Sequence, residues 1–276
     1  MSRSIQTPTS QMSKTDFQLL LHLLKKHEPF TFIRFSDGEM EVLRNERLFI
    51  GDGIVSWRKG TISHPYPNFD RKDFEPGRDI QVRKDLIESA EYQAPYFYKG
   101  VPSKHNDAVS DRDLMVEYNG KSPLNLTFSD LLINANFYRF RSKMLPVFKT
   151  FENVYYVGNF RANPEEYDST WIHLQIPDDF FREYPIILNS IMQRMIGLPS
   201  GSLVLLSASS LSNILGYRLH QIRQDITLLD IGTSIHDLVG MEGGIREYHD
   251  LLLPNNFKGN LKKAKLMLRK NFRPKW

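Results

Sequence analysis

Two carboxylates in an Asp-x-Glu spacing, Asp37 and Glu39, follow directly on a run of β-branched and aromatic residues from Phe30 to Phe35. Such a run reads as a buried strand, and Ser36-Asp37-Gly38 is a turn signal that ends it. In open α/β sheets, ligands lie outside the carboxyl ends of the strands, which is where these acids would stand. Two hard oxygen ligands beside a phosphate suit a divalent ion such as Mg²⁺ or Mn²⁺. The plainer reading is a strand-ending turn with exposed acids. Arg34 projects from the strand on the face opposite Phe35, either to buttress the acids or to make an ordinary ion pair at the core edge.

A second group of polar residues lies about as near the other end of the chain. Ser202 to Leu206 is an apolar strand, Ser207-Ala208-Ser209-Ser210 a loop of small residues, Leu211 to Ile222 a helix, and Ile226 to Ile231 a further strand. This is a β-loop-α-β unit, and its crossover requires parallel strands. Amides and hydroxyls of a Ser/Ala loop before a helix can reach a phosphate. Ordinary Ser capping of a sheet-covering helix explains the loop equally. It is neither a Rossmann glycine fingerprint nor a Walker A loop. Past the second strand, His236 and Asp237 are the general-base candidates by position and chemistry.

Both groups resemble one family. Arg34-Phe35-Ser36-Asp37-Gly38-Glu39 is similar to the Arg-Phe-Gly-Asp-Gly-Glu signature of the GT-D class of bacterial glycosyltransferases, with Ser36 in place of the glycine. The Ser207–Ser210 loop, its helix and Asp230-Ile231-Gly232 resemble that family's strand, Gly-Pro-Thr-Ala-Thr-like loop, helix and Asp-Ile-Gly-His-Ile-Asp; the residues after Gly232 differ. The resemblance implies a Rossmann-like, mostly parallel α/β sheet flanked by helices, in a single domain with a variable middle insertion. It implies transfer of a sugar from a nucleotide-sugar donor to an acceptor hydroxyl on a bacterial glycan or glycoprotein. Asp37 and Glu39 would hold Mn²⁺ or Mg²⁺ and the leaving diphosphate. His236 and Asp237 would be the base. Arg34, Ser36, Gly38, Ser207, Ser209, Ser210, Asp230 and Gly232 would surround the donor.

The elements that must position these groups follow from periodicity and punctuation. Residues 1–12 read as a disordered leader. Ser13 caps a helix, with Asp16 three residues on, and Phe17, Leu20, Leu21 and Leu24 recur at helical spacing to about His27. A short helix is expected over Met40–Arg47, a strand over 48–54, and a loop from Trp57 to Gly77. Asp79–Tyr92 is an amphipathic helix with Ile80, Leu86 and Ile87 inward. Strands are expected at 96–102, 124–128, 154–158 and 171–176, and helices at about 135–151 and 178–196. The acids at 107–117 read as a solvated face. A domain over 13–257 results, its stretch 57–150 assigned to the acceptor side.

At 276 residues, with 41% hydrophobic and no cysteine, the chain can bury a sizeable core and has no disulfide framework or thiolate site. No secretory h-region or apolar span stands out, so a soluble, cytoplasmic protein is expected. Net charge is +4, but residues 258–276 carry eight basic and no acidic residues, leaving 28 basic against 32 acidic elsewhere. That basic tail suits an anionic surface, nucleic acid or membrane, or is simply a solvated helix. It keeps open a DNA glycosyltransferase acting on a hydroxymethylated base, with base flipping onto aromatics. Outside the transferases stand a metal-dependent phosphoesterase or nuclease, for which further carboxylates or histidines are wanting, and a nucleic-acid or membrane-surface adaptor.

Overall fold

The structure is a computed structural model describing residues 12–63, 71–103, 108–241 and 246–249. The expected leader (apart from Met12) and the basic tail lie outside those residues. In chain order, helix α1 (Met12–Lys25) leads into strand β1 (Thr31–Arg34) and helix α2 (Asp37–Leu43). Four short strands follow, β2 (Leu48–Gly51), β3 (Ile54–Trp57), β4 (Gly60–Ser63) and β5 (Lys72–Phe74), then α3 (Ile80–Glu91), β6 (Phe97–Val101), α4 (Ala108–Tyr118) and β7 (Leu126–Phe128). A broken helical stretch contains α5 (Phe137–Arg139) and α6 (Leu145–Phe148). The chain continues through β8 (Val154–Asn159), β9 (Ile172–Ile176), α7 (Tyr184–Ile196), β10 (Leu203–Ser207), α8 (Ser210–Ile222) and β11 (Thr227–Asp230).

Seven strands form one sheet in the order β7-β6-β1-β11-β10-β8-β9, every neighbouring pair parallel. Strands of such a sheet are covered on both faces and read as continuous apolar runs. β1 and β11 show this, with every residue buried. One core lies on the face covered by α2, α3, α7 and α8, with Ile33, Leu86, Ile191 and Leu215 among its members. The other holds α1 and the broken helix, through Phe17, Leu24, Phe140 and Phe148. β6 and β7 come from the 57–150 stretch, so that region is woven into the main sheet.

Several elements differ from the sequence expectations. Trp57–Gly77 is not a plain loop. It supplies β4 and β5, which join β2 and β3 in an antiparallel sheet of order β4-β3-β2-β5, joined at β2 by the Asp52-Gly53 turn. The 135–151 helix is interrupted by a π-helical turn at Phe140–Met144; Pro146 just beyond cannot donate the next backbone bond, so the ladder must slip there. α1 begins at Met12, ahead of Ser13, and Asp16 accepts a hydrogen bond from Thr127 at 2.5 Å instead of closing a capping box. α7 begins only at Tyr184. Ile80 points outward at 64% exposure, whereas Asp111 is buried and paired with Arg44 at 2.8 Å. For Asp16 and Asp111 a tertiary partner, invisible to local periodicity, sets the orientation.

α8 lies against β1 more closely than a side chain would allow. A Cβ on Gly216 would meet Ile33 Cγ2 at 2.5 Å, and Ile33 is fully buried. Gly216→Ala should therefore lose about 1–3 kcal/mol by overpacking, more than the roughly 1 kcal/mol alanine gains in a helix; a lower urea midpoint is the check. The same helix is tied to β1 by His220 Nδ1 and Thr31 Oγ1, 2.9 Å apart. Burial holds the His220 imidazole down to about 4 from its usual 6.5. The unfolded chain binds that proton first as pH falls, so stability present above pH 6.5 is lost progressively toward pH 4. Urea midpoints at pH 7 and 5 should differ less in His220→Gln than in the parent.

Candidate functional site

The carboxyl ends of β1, β7, β8, β10 and β11 and the inner edge of the antiparallel sheet enclose a cleft of about 410 Å³, within the range of roughly 300–1,000 Å³ usual for small-ligand sites. Its floor is built by Arg34 and Asp230, the last residues of neighbouring strands β1 and β11. The Arg34 guanidinium donates from Nη2 to Asp230 Oδ1 at 3.1 Å, and the Arg34 amide donates to Oδ2 at 3.2 Å. Arg34 Nη1 reaches the Ser129 carbonyl at 3.3 Å, across the sheet after β7. Gly232 closes the arrangement. Its φ is +48°, its amide donates to Asp230 Oδ1 at 3.0 Å, and a Cβ there would collide with the Arg34 guanidinium. Only glycine accepts both demands. The Asp-Ile-Gly sequence is thus the receptor for Arg34.

Glu39 sits in the first turn of α2 and is 6% exposed. Its Oε2 accepts the Ser36 amide at 3.0 Å, in the manner of a capping box. Its Oε1 accepts the Ser209 hydroxyl at 3.1 Å and, more distantly, that of Ser210 at 3.5 Å. Burial pushes the Glu39 carboxyl above the usual carboxylate range, against the pull of the Ser36 amide. Asp37 is half-buried and lines the cleft with Ser36 and Gly38. The two acids therefore differ in kind: one is enclosed by donors, the other faces the cavity.

The β10–α8 turn forms another wall. Ser207 ends β10, its hydroxyl donating to the Gly232 carbonyl at 2.8 Å and lying 3.1 Å from His236 Nε2. Ser209 has φ +52° and ψ −143°, a conformation costly for any residue with a Cβ and concentrated at functional sites. It does not cap α8 with its side chain; the Ser212 hydroxyl takes the Ala208 amide instead, at 2.9 Å. Asn213 of α8 donates to the Arg34 carbonyl at 2.9 Å, binding the helix to the floor.

Ten of the residues singled out from the sequence line the cleft: Arg34, Ser36, Asp37, Gly38, Glu39, Ser207, Ser209, Asp230, Gly232 and His236. Ser210 lies just behind, buried against Glu39. Asp237 is outside the lining; Arg141 holds it through two bonds of 2.7 and 3.0 Å, and His249 Nε2 stands 3.4 Å away. His236 is 4% exposed. With the Ser207 hydrogen on Gly232, the His236 ring is placed to donate to Ser207, which makes it a support for that wall. The sequence reading missed Lys72, Asp130, Asn134, Asn159 and Arg246, all of which line the cavity. Asn159 was within reach of a signal, since it ends β8 beside the noted Gly158. Lys72 had none: it arrives from β5, paired antiparallel with Ile50.

Among the described residues, no group of three or more His, Asp or Glu side chains could hold an ion. Glu39 has both oxygens engaged and Asp230 is paired with Arg34, which leaves Asp37 and Asp130 as the other carboxylates lining the cavity. That set suits Mg²⁺ or Mn²⁺ when phosphate oxygens and water complete the shell. No described helix is long and apolar enough to cross a membrane.

The floor supports a quantitative expectation. Removing one partner of a buried ion pair leaves the other charge uncompensated, at a cost of about 3–5 kcal/mol. Asp230→Ala should lose stability on that scale, read as a lower denaturant midpoint with an unchanged slope.

The sequence matches no family model, and no curated protein matches it. Solved structures do resemble it. One described as a new glycosyltransferase, a domain of unknown function 1792 from Streptococcus sanguinis, superposes with a TM-score of 0.50 at 13% identity, covering 83% of this chain and 82% of that one. Two others are a structure in which domain of unknown function 1792 is described as having a distinct glycosyltransferase fold (TM-score 0.48, 13% identity, 83% and 78% covered) and a selenomethionine-substituted structure of that domain (0.49, 13%, 83% and 79%). At this identity the likeness is one of architecture: a mixed α/β chain with a seven-stranded parallel sheet flanked by helices, matching a glycosyltransferase fold.

Proposed function

We propose that the protein is a glycosyltransferase that takes a sugar from a nucleotide-sugar donor and delivers it to an acceptor hydroxyl of a glycan or glycoprotein. The observation that carries this reading is the convergence of Asp37, the Ser207–Ser209 turn and Lys72 on one cleft at the carboxyl edge of the parallel sheet. A site of this kind suits a dianionic leaving group. Amides before α8 and the cations Lys72 and Arg246 favour negative charge that develops on a diphosphate. Asp37 is the residue that would hold Mg²⁺ or Mn²⁺, which when bound neutralises phosphate oxygens.

The remaining residues position and orient. Arg34, neutralised by Asp230, keeps the cleft floor rigid, and His236 fixes Ser207. Asn134 and Asn159 offer amide groups suited to hydroxyls of a sugar or ribose. Asp130 stands after β7, on the far side of β1 from the serine turn, and this reading assigns it to the acceptor side. With the donor and acceptor groups held at fixed positions, much of the rate enhancement would come from orientation.

The test is a thermal-shift screen of nucleotide sugars with and without Mn²⁺. A ligand that binds the native state raises the midpoint by mass action. A metal-dependent rise with one donor, abolished in Asp37→Asn, is the expected result. No rise with any donor, for a protein that remains folded, would overturn the reading.

A further inference from the structure

Besides the Arg34–Asp230 pair and the Asn213–Arg34 bond, the first and second motifs meet at Glu39. Glu39 and Ser209 are 170 residues apart in sequence, and their side chains meet at 3.1 Å. Three facts bear on what that contact does. Both Glu39 oxygens are engaged, one by the Ser36 amide and the other by two serine hydroxyls, in a side chain almost withdrawn from solvent. Ser209 holds a left-handed backbone, φ +52° and ψ −143°, that its own side chain disfavours. Among the described residues, no carbonyl accepts from the Ser209 or Ser210 amide, the ordinary state of the first amides of a helix.

We infer that Glu39 is a positioning residue, whose carboxylate braces the strained Ser207–Ser210 turn so that the Ser209 and Ser210 amides face the diphosphate of the donor. In this arrangement Asp37, and not Glu39, is the carboxylate that meets a cation. The strain at Ser209 persists because an outside group over-determines it. Glu39 supplies that group: it is anchored on α2 by the Ser36 amide and reaches over to the turn. Without the carboxylate, the turn is free to relax toward an ordinary capped helix start, which would carry its amides away from the cleft. The diphosphate part of the inference rests on the transferase reading; the brace itself does not.

The experiment uses the full chain, with Mn²⁺ alone and inorganic pyrophosphate plus Mn²⁺ as probes. Unfolding of Glu39→Ala, Ser209→Ala and the double variant is compared first. Residues acting through one contact are non-additive, so the double variant should be little less stable than Glu39→Ala; additive losses would overturn the brace. Ser209→Gly, which accepts the left-handed backbone, should be more stable than Ser209→Ala, and the reverse order would count against strain at this position. Mn²⁺ affinity, followed by paramagnetic resonance of the free ion, should survive in Glu39→Gln and fall about tenfold or more in Asp37→Asn; equal losses in the two would make Glu39 a ligand and sink the inference. Pyrophosphate affinity should fall about tenfold in Glu39→Ala and be restored in Glu39→Gln, whose amide can still accept from Ser36 and bond Ser209. Should the parent bind neither probe while Glu39 and Ser209 remain coupled in unfolding, the transferase reading and the amide orientation toward diphosphate fall, and the brace stands.

Discussion

The structure depends on a buried ion pair. Arg34 and Asp230 end adjacent parallel strands, and taking both charges out of water is expensive unless each finds several partners. They do. Asp230 accepts from the Arg34 side chain, the Arg34 amide and the Gly232 amide, and Arg34 also reaches the Ser129 carbonyl. The pair thereby fixes the register of β1 against β11, where Phe32 faces Leu229. It also dictates a glycine two residues after Asp230. An Arg-containing motif near one end of the chain and an Asp-Ile-Gly near the other are two halves of one object.

That object is the floor on which the cleft is assembled. α8 is bound to it through Asn213 and the Arg34 carbonyl, and it lies close to β1 because Gly216 has no side chain. Ser207 bridges the floor and His236. Polar groups buried at this density are costly if left unsatisfied and rigid when satisfied. A rigid floor under a strained turn is the setting in which amides can be held ready for a ligand without reorganising when it arrives. The antiparallel sheet β2–β5 then adds one wall and, through Lys72, a cation that the parallel sheet does not supply.

How much of this was legible in advance differs by element. The strands at 31–34, 203–207 and 227–230 were readable because a sheet buried on both faces leaves an unbroken apolar run. The β-loop-α-β unit was readable because its elements are contiguous. Of the antiparallel sheet only the strand over 48–54 was readable: β3 and β4 are four residues long and largely exposed or half-buried, and β5 has three residues, buried throughout, two of them charged, so neither alternation nor an apolar run marks them. The break at Phe140–Met144 was missed because helical periodicity continues through a π-turn even as the hydrogen bonds slip.

The sequence by itself determined the parallel α/β architecture, the two motifs and ten of the residues that line the cleft, since residue type and strand-end position are local properties. Tertiary structure decided which partners each residue meets. It enclosed Glu39 among serines and left Asp37 facing the cavity, although the two sit in one turn. It withdrew Asp237 to Arg141 and turned His236 toward Ser207. It also brought Lys72, Asp130 and Asn159 to the same place from separate elements. The reason is physical: a charged side chain takes its role from the partners that replace its water, and most of those partners here lie far away in sequence.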